Sequence, residues 1–240
     1  MNHTRQVTMF IGAMLLAGLG AASFAGFQSH TLHLPIALGI LALAAATSRM
    51  KAKLPGVHGN MSANLPFLLT AVVKLSAVEA VLIACACTAV QCWPRKGGKL
   101  NAQQMAFNLS MMAFASATAS LMLRADWLGG WKSGPLGIAM ATATLFLGQT
   151  APVSGIVAMS ERRSAFFIWR ELAQLSFPYY VASAGLTFMV QTMSSQLGWG
   201  LALAVFPVMY GIHRSYKMYF QQMTGHMRIE VHARAAAVGA

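Results

Sequence analysis

Glu79 is the one carboxylate inside the long apolar stretches of this chain, and Lys74 precedes it across a short turn. An ionisable group at membrane depth is costly to bury, so two readings stand open: the pair lines a ligand pocket, or Lys74 snorkels to the surface and pairs with Glu79 at the turn. Upstream, Pro55, Gly56 and Gly59 interrupt any helix, and the polar Asn60, Ser62 and Asn64 follow them; Asn60 or Ser62 is expected to cap the next helix. Asn60, Ser62, Asn64, Lys74 and Glu79 are therefore the ligand-sensing candidates. Other chemistry finds little footing. The five acidic residues Glu79, Asp126, Glu161, Glu171 and Glu230 are scattered, which gives neither an acid–base pair nor a cage for a divalent cation. Ser154 and Ser160 lack a His–Asp set, and no Gly-Lys-Ser/Thr phosphate loop occurs. No catalytic residue, metal or cofactor is expected. His30 and His33 would share a helical face, but without a third ligand they read as solvated loop histidines. Cys85, Cys87 and Cys92 have spacings that do not converge on a metal, and they read as small packed residues.

The elements that must position these groups are membrane helices. With 57% hydrophobic and 9% charged residues and a mean hydropathy of +0.57, too few polar side chains remain to coat a soluble globule. Apolar runs bounded by charge, Gly or Pro predict an all-α polytopic bundle with spans near 8–27, 32–48, 62–73, 77–92, 103–123, 136–159, 176–195 and 197–212. The third and fourth are short, and the alternative is six full spans plus one short helical hairpin. The basic residues fall in alternate gaps. Arg5, the Arg49–Lys53 cluster, Arg95, Lys96, Lys99, Arg162, Arg163, Arg170, Arg214, Lys217, Arg228 and Arg234 share one inferred side, whereas Arg124 and Lys132 lie opposite. By the positive-inside rule this puts both termini in the cytoplasm.

The net charge of +12 is thereby explained by topology and anionic headgroups, and a nucleic-acid partner is not expected. The first span resembles a signal peptide, whose cleavage would leave seven spans; it is kept here as an uncleaved helix. Gly18, Ala22 and Gly26 give that helix a smooth face, as do Ala113, Ala117, Ser116 and Ser120 in the fifth. These faces allow packing within one chain or between chains.

Leu54-Pro55-Gly56, Gly59-Asn60-Met61-Ser62 and Val90-Gln91-Cys92-Trp93, followed by Phe177-Pro178-Tyr179-Tyr180, Gly198-Trp199, Phe206-Pro207 and the 213–219 segment, carry a resemblance. The chain resembles the N-terminal multi-span membrane sensor module of bacterial HD-GYP and GGDEF signalling proteins. The resemblance covers most of the chain, rests on structural signatures, and carries over no catalytic residue. It implies a last span running into a cytoplasmic helix, then a cyclic-di-GMP domain. That domain has no counterpart after Tyr219, so turnover of cyclic-di-GMP is not expected. The resulting organisation is a transmembrane domain over 1–213 and a basic cytoplasmic helix and tail over 214–240, with Arg214, Tyr216 and Tyr219 as output contacts. The expected function is a sensory or regulatory module of the bacterial inner membrane. Its partners would be the lipid bilayer and either a cytoplasmic signalling protein or a second protomer. The competing expectation is a small-solute transport or substrate-binding component, with Gln149, Thr150 and Ser154 around the helix-breaking Pro152.

Overall fold

The computed structural model describes residues 3–28, 32–49, 51–53, 60–94, 100–125, 129–130 and 134–197, together with Pro207, Val208, Tyr210, Gly211, Arg214, Ser215 and Met218. Its helices are α1 (His3–Phe27), α2 (Leu34–Ser48), α3 (Leu65–Lys74), α4 (Ala77–Cys92), α5 (Ala102–Arg124), α6 (Pro135–Glu161) and α7 (Ala165–Leu197). Between α2 and α3, β1 (Lys51–Lys53) pairs antiparallel with β2 (Asn60–Ser62), Ala52 opposite Met61. The helix starts follow local chemistry. Pro35, Pro66 and Pro135 stand in first turns, where the missing N–H has no intrahelical acceptor to reach. Asn101 caps α5 by accepting from the Gln104 amide at 3.1 Å. Helix α6 ends where Arg162 turns left-handed at φ 55°.

α1, α5 and α6 are long and apolar enough to cross a membrane. The surfaces of α1 and α6 fit that role, because large apolar side chains such as Leu19 and Leu147 face outward. On α1, Leu16 is 74% exposed and Phe27 84% exposed, an arrangement that water would penalise and lipid tolerates. Serine and threonine hydroxyls are turned back onto their own helices, as Thr118 onto the Phe114 carbonyl at 2.7 Å and Thr142 onto the Ile138 carbonyl at 2.6 Å. These hydroxyls are thus satisfied without solvent.

α5 is the axis of the bundle, far more deeply buried along its length than α1. It packs against α1, α4 and α6. Its small residues make this possible. A Cβ on Gly18 would meet the Ser110 carbonyl oxygen at 2.5 Å, and one on Gly148 would meet the Ala115 Cβ at 2.8 Å, so both neighbours approach at backbone distance. Ala113, Ser116, Ala117 and Ser120 are all buried within this one chain. The face expected on α1 is used only in part, since a Cβ on Gly26 meets nothing within 4 Å.

The short α3 lies at the centre, with Leu65, Pro66, Phe67, Leu68, Leu69, Ala71 and Val72 buried against α2, α4, α5, α6 and α7. At about 1.5 Å per residue its length is roughly 15 Å, half the thickness of a bilayer core. It is a buried half-helix and cannot cross by itself.

The count of eight spans is not what the described helices present. The expected third span divides into β2 and the ten-residue α3. The expected seventh span starts eleven positions early, because α7 begins at Ala165 and is one continuous helix of 33 residues despite Pro178. The expected eighth span, 197–212, falls largely outside the described residues.

Candidate functional site

Glu79 organises one end of the bundle. It occupies the third position of α4, where Ser76 is the N-cap and the pair forms a reciprocal capping box. Only 4% exposed, its carboxylate takes donors from separate parts of the chain. Oε2 accepts from the Ser76 amide at 2.9 Å and the Ser76 hydroxyl at 2.7 Å, and Oε1 accepts from the His33 amide at 2.6 Å. The last of these ties the entry to α2 onto the start of α4. The same turn is gripped from α5: the Arg124 guanidinium donates to the Ser120 carbonyl at 2.7 Å and to the Leu75 carbonyl. One buried carboxylate and one arginine therefore join α2, the α3–α4 turn and α5 into a single knot.

Lys74 stands apart from the knot. Its side chain is exposed at the end of α3, and among the described residues no ion pair links it to Glu79, whose oxygens are already taken. The reading in which Lys74 closes the turn by pairing is therefore corrected: Ser76 and His33 do so through hydrogen bonds.

At the opposite end of α3, Asn64 is the N-cap, in place of the expected Asn60 or Ser62. Its side chain does not cap the helix. Buried to 4% exposure, it donates from Nδ2 to the Ser48 hydroxyl at 3.3 Å, and Ser48 donates in turn to the Ala44 carbonyl at 2.6 Å. The buried Cys87 thiol meets both Ser48 and Asn64. Asn60 and Ser62 lie in β2, with side chains outside the described residues. Asn64 and Glu79 thus bracket the α3–α4 hairpin from opposite ends, with Lys74 exposed beside Glu79. Of the expected output contacts, Arg214 is helical and exposed, while Tyr216 and Tyr219 are outside the described residues.

A third polar group lies between α6 and α7. The Tyr180 hydroxyl donates to Gln149 Oε1 at 2.8 Å, and the Trp169 indole N–H donates to the Thr150 hydroxyl at 3.1 Å. These contacts hold the two proline-containing helices together. Half-helix α3 also reaches α7, where the Thr187 hydroxyl donates to the Pro66 carbonyl at 3.3 Å.

Sequence reasoning passed over His33 as a donor, and also Ser76, Arg124 and Thr187. Ser76-x-x-Glu79 was readable as a capping pattern. The others act across separations of 46, 49 and 121 residues, for which no local pattern exists. Among the described residues no three metal-binding side chains come together. Set against known proteins, the chain matches no family model, no curated protein and no solved structure.

Proposed function

We propose that this chain is a membrane-embedded sensory or regulatory module in which a change at the Glu79 knot moves the α3–α4 hairpin and is passed to α7. The observation that carries this reading is the position of α3. It is a buried half-helix fastened at its turn by Glu79 and Arg124, and it touches α7 through Thr187 and Pro66. A short, enclosed element with polar fastenings at both ends can shift as a body, whereas α1 and α6 are locked by small-residue packing with α5. In this account Lys74, exposed beside the knot, meets the signal, and the segment after α7 that includes Arg214, Tyr216 and Tyr219 delivers it to a cytoplasmic partner or a second protomer. The resemblance to the membrane modules of bacterial cyclic-di-GMP proteins agrees with this direction of relay, with the inner membrane as its location and both termini cytoplasmic. In-cell crosslinking of the full chain beside a chain ending at Ile212, read by mass spectrometry, tests it. A signalling protein or a second protomer captured only by the longer chain supports the relay. Equal capture by both chains opposes it.

Transport of a small solute is the second reading, favoured by the buried Gln149 amide nitrogen, which lacks a partner among the described residues, beside the helix-breaking Pro152. Solute uptake that survives removal of 213–240 and is lost in Gln149→Leu would select it.

A further inference from the structure

The corner between α6 and α7 combines free positive charge with exposed aromatic surface. Arg163 serves two carboxylates, Glu171 at 3.2 Å and Glu161 at 3.7 Å. Both acids are thereby matched, and Arg162 and Arg170, exposed on either side, have no carboxylate partner among the described residues. Next to them Phe166 is 63% and Phe167 59% exposed, while Ile168 and Leu172 turn inward and are buried. Trp169 supports Phe166, with ring centroids 6.3 Å apart, and pins this turn to α6 through Thr150.

Helical geometry decides what such a corner faces. At about 100° per residue, Phe166, Arg170, Phe177, Val181 and Phe188 fall within an arc of roughly 60°, one continuous outward stripe. Phe177 is 58% and Val181 53% exposed, so the stripe is apolar from Phe177 onward. Arg170 sits about 10 Å before Phe177 along the axis. Taken from the bilayer centre outward, Val181, Phe177 and Arg170 follow the order of a membrane boundary: hydrocarbon, aromatic belt, headgroup. Guanidinium is also the cation best matched to phosphate.

We propose that Arg162 and Arg170 bind the phosphate of an anionic phospholipid at the α6–α7 corner, with the acyl chains lying along the Phe177–Phe188 stripe. The site depends on α7 facing the bilayer and is independent of the relay.

The test uses the full chain in nanodiscs of equal phosphatidylglycerol and phosphatidylcholine, with retained lipid identified by native mass spectrometry. The wild type retains phosphatidylglycerol preferentially. Arg162→Ala/Arg170→Ala lowers that preference roughly 30-fold, about fivefold per arginine, while Arg162→Lys/Arg170→Lys keeps most of it. In the wild type the preference also falls as salt rises from about 50 mM to about 500 mM, which tests the site without any substitution. Equal retention of both lipids by the wild type, or an unchanged preference in the alanine pair, overturns the site. Displacement of the lipid by excess glycerol phosphate would assign the arginines to a soluble phosphate and overturn it likewise. Failure of the chain to enter the nanodisc would overturn the bilayer reading of α7 itself.

Discussion

Replacing Glu79 by Gln changes almost no volume and removes one acceptor from a place where three donors converge. The amide oxygen can serve His33 or Ser76, but not both. Whichever side receives the NH2 group, a buried backbone N–H is left facing another donor, at a cost of about 1–3 kcal/mol. Bonds to the remaining oxygen also lose their charge assistance, and part of that loss is offset because a neutral amide is cheaper to bury than a carboxylate. The net expectation is about 2 kcal/mol, or roughly a 30-fold shift of the folding equilibrium. Unfolding by sodium dodecyl sulfate in mixed micelles, followed by tryptophan fluorescence, reads this directly. Ser76→Ala alone should cost about 1 kcal/mol as a lost N-cap. The double variant should lose less than the two single losses added together, because both remove the same bonds. A Glu79→Gln variant as stable as the wild type would refute the reasoning, since it would mean that the carboxyl is already neutral or that the knot does not form.

The other fastenings and packing contacts make separate predictions under the same assay. Arg124→Met keeps the aliphatic stem and strips the Leu75 and Ser120 carbonyls of their donor, so it should cost about 1–3 kcal/mol. Gly18→Ala should cost about 1–3 kcal/mol, because its Cβ meets Ser110 backbone, which cannot give way as a side chain would; Gly26→Ala, in open space, should stay within about 0.5 kcal/mol. Leu69→Ala empties a fully buried position and should cost about 2–5 kcal/mol. Leu16→Ala, on the lipid face, should cost well under that in a bilayer, and comparable losses at the two positions would contradict the inside-out arrangement.

Much of the fold was legible because its solvent is lipid. A bilayer forces long uncharged runs, and α1, α5 and α6 coincide with them to within a few residues at most ends. The capping box at Ser76 and Glu79 was written in the sequence as a local pattern but was passed over, because Glu79 was set against Lys74. Helix α7 was misread at its start because 165–175 carries Arg170 and Glu171, and apolarity was taken as the limit of the helix. Hydrogen bonding does not stop where hydrophobicity does, and this turn continues outside the apolar stretch as an amphipathic extension. The shortening of α3 was hidden for the opposite reason: residues 62–73 are apolar throughout most of their length, although Asn64 and Pro66 delay the helix to Leu65. The candidate site was half legible. Glu79 stood out by its charge, but nothing near position 79 announces the His33 amide that donates to it, or the Arg124 guanidinium that grips the same turn through the Leu75 carbonyl.

Hydrogen–deuterium exchange of the wild type and Glu79→Gln in nanodiscs tests the central claim most directly. If the knot, half-helix α3 and α7 move as one linked unit, the substitution raises exchange in α3, in the first turns of α4, and in α7 around Thr187. Faster exchange confined to the α4 N-terminus, with α7 unchanged around Thr187, would contradict the account, because the knot would then be a local helix cap with no connection to α7.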